Sequence, residues 1–270
     1  MRKPSQESLM AAYEWMLLPV LASALLCLLL VPLGYQVIAR GVIFADLAIA
    51  QWAALGSLAG LYLLPNHTLA GAPVSSLMFA LLAAMAVHLI FRRLGEAKEA
   101  WIGILYVVGA SLAVLLVSGD PHGAQALQRG ASGDLLWSSW DLVIAAATLT
   151  VLVWLLGVWR PEWLSGAAFM PVFAVAVTYS VSLAGIYVVF ATLIITPLIL
   201  GSLQGQAPIV AALCAIAGHL GAIGYSVVSD VPVGPTIVVA TLVMGLLWLA
   251  CLRWFAGKYF RALRTEAHSR

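Results

Sequence analysis

The chain is predicted to be an all-α, polytopic membrane helix bundle of about eight or nine transmembrane helices, and three observations carry that prediction. First, 63% of its 270 residues are hydrophobic and only 9% are charged, against about 25% charged residues in a soluble domain; the mean hydropathy is +1.05. Second, apart from histidines, residues 41–91 hold a single charged side chain, Asp46, and residues 163–229 hold no Asp, Glu, Lys or Arg. A spanning helix needs roughly 20 apolar residues, so each stretch holds several spans. Third, the apolar runs are continuous, without the period-2 alternation of a barrel strand. In lipid that leaves helices to satisfy the backbone internally.

Apolar runs between punctuating residues place the helices at 15–39, 42–64, 70–91, 101–118, 136–159, 166–184, 185–200, 207–229 and 235–256. The N-terminus starts basic, as a signal peptide does. Its apolar run is too long for a signal h-region and lacks a small-residue cleavage pattern, so it reads as a retained first span after a tail at 1–14. The transmembrane body is 15–256, followed by a basic C-terminal tail at 257–270. Arg40, Arg92, Arg93, Lys98, Arg160, Arg253, Lys258, Arg261 and Arg264 alternate with connections that hold only Arg129. The positive-inside rule makes the first set cytoplasmic. With nine spans the N-terminus is then external; Arg2 and Lys3 speak against this, which keeps eight spans with a re-entrant segment open. Tryptophans 15, 101, 137, 140, 159, 163 and 254 fall near span ends, where amphipathic rings sit at the headgroups. Trp52 falls mid-span and belongs inside the bundle. The hexapeptides SLAGLY (57–62) and SLAGIY (182–187) form an internal echo, which chance explains at least as well as a repeated half.

The functional candidates are the polar groups that hydrocarbon should exclude. A central Asp costs about 2.5–3.5 kcal/mol and such residues usually face a cavity, a partner or an ion path. Asp46 fits that description, with pairing to Arg40 as the structural alternative. Gln51 lies five residues on, roughly 140° around an ideal helix. His219, in the glycine-rich AIAGHLGAIG, suits either a ligand or an interhelical hydrogen bond. His88, near the Arg92–Arg93 pair, reads as helix-end hydrogen bonding. In the largest external connection, Asp120 and His122 flank Pro121 and Asp134 stands at the return. Carboxylate and imidazole suit a divalent transition metal, although turns collect Asp, Pro and Gly for conformational reasons.

Several classes are excluded. Net charge is +2, too small to imply nucleic acid. Cys27, Cys214 and Cys251 lie in apolar runs without CxxC spacing, as packing residues do. No phosphate-binding loop, HExxH or GxSxG is present, so transport is the default activity, energised by a partner or an ion gradient.

Three segments give the chain a resemblance to the membrane permeases of ATP-binding-cassette importers for zinc, manganese and related metals. One is Arg40, Phe44 and Asp46 leading a small-residue helix to Leu55-Gly56. Another is GIYVVFATLIITPLIL (185–200), and the third is the Asp230, Pro232, Gly234 turn before the last span; DPHGA in the external loop adds to them. The matched parts spread from Gly34 to Leu247. The resemblance implies a paired, homodimeric permease in a bacterial cytoplasmic membrane, surrounded by lipid. It would receive metal from an extracytoplasmic binding protein and dock two cytosolic ATP-binding subunits, which hydrolyse ATP in its place. No covalent cofactor is implied; the transported ion, zinc ahead of manganese, is the cargo. Asp46 then helps form the metal path, because a divalent cation offsets the desolvation of a carboxylate.

Two departures accompany the resemblance. Gln51 stands where many members have His, and an amide is a poorer transition-metal ligand. The cytoplasmic segment that docks on the ATPase is shortened to WRPEWLSG (159–166), with Pro161-Glu162 as its remnant, so docking through Arg92 and Arg93 is an alternative. A gradient-driven carrier or channel without an ATPase, and a non-transporting scaffold, are the competing functions.

Overall fold

The fold comes from a computed structural model that describes residues 6–41, 44–63, 71–93, 98–133, 135–160, 162, 166, 168–201 and 208–268, with the side chains of 6–15, 71–72, 129–132 and 255–268 outside that description. Nine α-helices make up the described chain: α1 Gln6–Ala39, α2 Ala45–Leu63, α3 Gly71–Arg93, α4 Lys98–Val117, α5 Gly123–Ser132, α6 Trp140–Trp159, α7 Phe169–Gly201, α8 Pro208–Ser229 and α9 Val233–His268. There are no strands among the described residues. All except α5 are long and apolar enough to cross a membrane.

α7 is not one span. A straight helix of its 33 residues would be about 50 Å long. Yet Phe169 at its start lies under the Arg40 guanidinium, 3.9 Å from ring centroid to Cζ. At its other end, a Cβ on Gly201 would stand 3.2 Å from the Tyr35 ring. Both contacts are with the last turns of α1, so α7 must go out and come back. The reversal is at Gly185, whose φ of 81° and ψ of 167° are not helical and belong to a region essentially restricted to glycine. Two legs result, 169–184 and 186–201, which leave from and return to the same end of the bundle. The expected boundary between 184 and 185 is where the chain turns.

Alternating directions gather Arg40, Arg92, Arg93, Lys98, Arg160 and Arg253 at one end of the bundle, which the positive-inside rule assigns to the cytoplasm. The Gly185 turn and α5 lie at the other. There a Cβ on Gly133 would come 2.0 Å from the Ala184 carbonyl oxygen, so two backbones touch where no side chain fits. α1 runs through the middle of the bundle, with Leu26, Leu29, Leu30 and Leu33 fully buried. Its Gly34 would place a Cβ 1.9 Å from the Leu193 carbonyl oxygen of the returning leg. Small residues let helix backbones approach this closely in lipid.

Several helix ends differ from expectation. α1 starts at Gln6 and α9 continues to His268, because a change from apolar to basic residues ends a membrane span without ending a helix. Lys and Arg propagate helices well. α6 starts at Trp140, preceded by a 3₁₀ turn at Leu135–Trp137. The external connection contains α5, whose Ala126 and Leu127 pack on Leu58, Ala113 and Val117.

Replacing Gly185 with Ala should cost about 1–3 kcal/mol, the penalty for a non-glycine residue in this backbone region. Thermal unfolding of the detergent-solubilised protein checks this; an unchanged midpoint would mean that the reversal does not need glycine.

Candidate functional site

A cavity of ≈820 Å³ opens beside α5 on the external side. One wall is α2, which contributes Gln51, Ala54, Leu58 and Leu61 from one stripe and Ala53 and Ser57 from the next. Ser182 and Tyr187 face it from either side of the Gly185 turn, and Gln128 and Pro235 stand among its lining residues. Trp52 packs behind the α2 wall as expected of a mid-span indole. Its Nε1–H donates to the Leu105 carbonyl at 2.9 Å, and its ring lies 6.2 Å from that of Phe79.

Asp46 is 1% exposed, in the first turn of α2, where free backbone N–H groups and the helix dipole favour an anion. Its Oδ1 has no hydrogen-bond partner among the described residues. The alternative, a pair with Arg40, does not form among them: Arg40 donates to the carbonyl oxygen and Oε1 of Gln36 at 3.0 and 3.1 Å and stacks on Phe169. Asp46 does not line the cavity. It lies on the stripe that leads to Ala53 and Ser57, two turns or about 10 Å further toward the cytoplasm. Gln51 is on the cavity itself, so the two do not share a site.

His219 is fully buried between α1 and the returning leg of α7. Ser23 Oγ is 3.0 Å from its Nδ1 and Thr192 Oγ1 is 3.0 Å from its Nε2. The Thr192 hydroxyl proton is donated to the Val188 carbonyl at 2.7 Å, so that oxygen accepts from His219 Nε2–H. Nδ1 therefore accepts from Ser23. Both ring nitrogens of a neutral imidazole are used in holding three helices together.

Asp120 and His122 do come together, 3.8 Å from Oδ1 to Nδ1. The Asp120 carboxylate is also spoken for: Oδ1 accepts from the His122 backbone N–H at 2.8 Å and Oδ2 from the Tyr62 hydroxyl. The Tyr62 hydrogen bond, helped by that N–H, holds its pKa below the ordinary carboxylate value. This tie between α2 and the α4–α5 turn is therefore present at neutral pH and is lost only as pH falls through the lowered value. Asp134 lies outside the described residues.

On the cytoplasmic side a cleft of ≈600 Å³ is lined by Arg40, His88, Phe91, Arg92, Gly166, Phe169 and Met170. Arg92 and Arg93 are exposed, as is Glu162. Pro161 lies outside the described residues. Cys27 and Cys214 are buried in an apolar cluster and unbonded. No group of three His, Cys, Asp or Glu side chains capable of holding a metal exists among the described residues.

Sequence reasoning passed over Ser57, Ser182, Tyr187 and Gln128 as cavity residues. One signal was there: Ser57 and Ser182 open the two echoing hexapeptides SLAGLY and SLAGIY, and both line this cavity.

Eight long apolar helices among the described residues, one of them reversed on itself at Gly185, are the architecture of a polytopic membrane protein. The chain belongs to the ABC 3 transport family, whose model matches residues 12–165, and is a membrane permease of ABC importers. No curated protein sequence matches the chain. Among solved structures it is similar to PsaBC from Streptococcus pneumoniae in complex with Fab, at 14% identity and a TM-score of 0.67 over 86% of this chain and 90% of that one. It is also similar to a metal-chelate type ABC transporter in an inward-facing conformation, at 18% identity and a TM-score of 0.65 over 94% and 91%. At these identities the two share the fold.

His219→Ala should destabilise the protein by about 1–3 kcal/mol, because Ser23 and Thr192 lose a buried partner, while transport per folded molecule persists. Loss of transport with unaltered thermal stability would instead place the imidazole on the ion path.

Proposed function

We propose that this chain is the permease subunit of an ABC-type importer for a divalent metal ion, zinc ahead of manganese, in a bacterial cytoplasmic membrane. The observation that carries the reading is Asp46. It is a carboxylate buried at membrane depth, with one oxygen unpartnered among the described residues, on the helix stripe that continues into the outward cavity. Such a group is retained where a cation passes, because the cation offsets its desolvation. The name of one similar structure, a metal-chelate type ABC transporter, agrees with metal as cargo. Zinc is favoured because the imidazole of His122, 78% exposed at its side chain, stands on the external side where cargo arrives. His219, with both nitrogens engaged, has no part in this path.

The chain supplies the path and no chemistry of its own; a cytosolic ATP-binding subunit hydrolyses ATP, an extracytoplasmic protein delivers the metal, and a second copy completes the permease. Arg92 and Arg93, exposed at the end of α3, and Glu162 beside the cytoplasmic cleft are the docking residues for the ATPase.

Asp46→Ala is expected to abolish metal accumulation at an unchanged level of membrane-inserted protein. Accumulation equal to the wild type would remove the carboxylate from the path. Reversing both charges, Arg92→Glu with Arg93→Glu, should weaken co-purification of the ATP-binding subunit by about tenfold or more; full recovery of that subunit would put the docking surface elsewhere.

A further inference from the structure

The cytoplasmic cleft gathers positive charge, the opposite of what a passing cation would seek. Arg40, His88 and Arg92 line it, and no carboxylate does among the described residues. Phe169 and Met170 are buried and make its floor, while Arg92 and Gly166 stand exposed at its rim. Arg40 is held in place by its hydrogen bonds to Gln36 and by the Phe169 ring against which it stacks. Lys98 brings a further cation. Its Nζ is 5.4 Å from the centroid of the Phe91 ring, another wall of the cleft, and 3.9 Å from where a Cβ on Gly41 would stand, next to Arg40. Three permanent charges, from the ends of α1 and α3 and the start of α4, thus converge on a space of ≈600 Å³.

Cations brought together at the edge of a low-dielectric bundle repel one another, and an anion set among them relieves that repulsion. The guanidinium fork matches phosphate in particular, and Lys meets it as a point charge. The neighbouring surface indicates the source of the phosphate. Met78, Leu82, Met85 and Leu89 are exposed along one stripe of α3, and the same spacing continues to Arg92. From Met78 to Leu89 is about 16 Å of helix, roughly half of a hydrocarbon core about 30 Å thick, which is the depth of one leaflet. Trp101, exposed in the first turn of α4 three residues after Lys98, is an indole of the kind that sits at headgroup level. Basic pockets between spans on the cytoplasmic side are where anionic headgroups bind.

We propose that the cleft is a binding site for the phosphodiester headgroup of an anionic phospholipid of the cytoplasmic leaflet. Arg40, Arg92 and Lys98 surround the phosphate, His88 offers a ring N–H, and an acyl chain lies along the stripe from Leu89 to Met78. Arg92 has five donors, enough to meet a lipid inside the cleft and the ATP-binding subunit on the cytosolic side. The inference depends on the bundle's place in the membrane and not on the nature of the cargo.

The test titrates the full chain, purified in mild detergent and delipidated, with phosphatidylglycerol or with phosphatidylcholine of the same acyl chains, and counts bound lipid by native mass spectrometry. One phosphatidylglycerol per chain should be held about tenfold or more tightly than phosphatidylcholine. Arg92→Gln with Lys98→Gln should weaken it by about twenty-five-fold, roughly fivefold for each charge removed. Arg253→Gln, at the same end of the bundle but outside the cleft, should leave it unchanged. Equal retention of the two lipids would overturn the proposal and leave the cleft to an acidic segment of the ATP-binding subunit. Displacement of the lipid by about 10 mM inorganic phosphate at constant ionic strength would assign the cleft to free phosphate and overturn the lipid as its source. A loss in Arg253→Gln as large as in the double variant would reduce the preference to the general charge of the cytoplasmic face and overturn the site. Should the double variant not purify folded, Lys98→Gln alone should cost about fivefold, and undiminished binding in it would equally overturn the site.

Discussion

The bundle depends on the close approach of α1 to the returning leg of α7. At Gly34 the two backbones stand where any Cβ would strike the Leu193 carbonyl oxygen. Further along the same pair of helices, Thr192 and Ser23 are joined through His219. Lipid gives no hydrophobic drive for one helix to prefer another, so small residues and buried hydrogen bonds supply the specificity. The imidazole is well suited because it is bifunctional: one nitrogen donates, the other accepts, and each meets a hydroxyl on a different helix. That bracket fixes where the returning leg lies, and with it where the Gly185 turn is presented to the cavity.

The polar groups buried in this protein divide by their state of satisfaction. His219, Ser76, Trp52 and Thr150 have their partners and serve packing. Asp46 has an oxygen left over, although its position in the first turn of α2 moderates the cost of its charge. A designed core would not leave a carboxylate in that condition. In membrane proteins a carboxylate in that condition usually faces a cavity, a partner or an ion path.

Much of this was legible in the sequence, and the limits are instructive. Runs of uncharged residues located nearly every span, and even the 184/185 boundary, because glycine in an apolar run marks a place where the backbone can turn. The ends of α1 and α9 were misplaced because hydropathy reports the span and not the helix. α5 was missed because Asp120, Pro121 and Gly123 announce a turn, and a turn does not exclude a helix starting at its last residue. In the site, a charge in hydrocarbon is visible from one dimension, so Asp46 could be named. Whether a histidine is spent on a neighbour depends on residues 27 and 196 positions away, which no local pattern reveals. The cavity serines were hidden for a related reason: a serine in a membrane helix is unremarkable until the face it shares is known.

The legs of α7 have a further consequence. Each holds 16 residues, about 24 Å of helix, against about 30 Å of hydrocarbon in a typical bilayer. With its open ends level with the cytoplasmic arginines, the hairpin falls several ångströms short of the outer surface. Hydrophobic mismatch of this kind is relieved by thinning the bilayer or by covering the deficit with protein. Here α5 lies over the short end and leaves the cavity between itself and α2. The chain thereby makes a recess beneath the level of the neighbouring helix ends out of a helix pair too short to reach them.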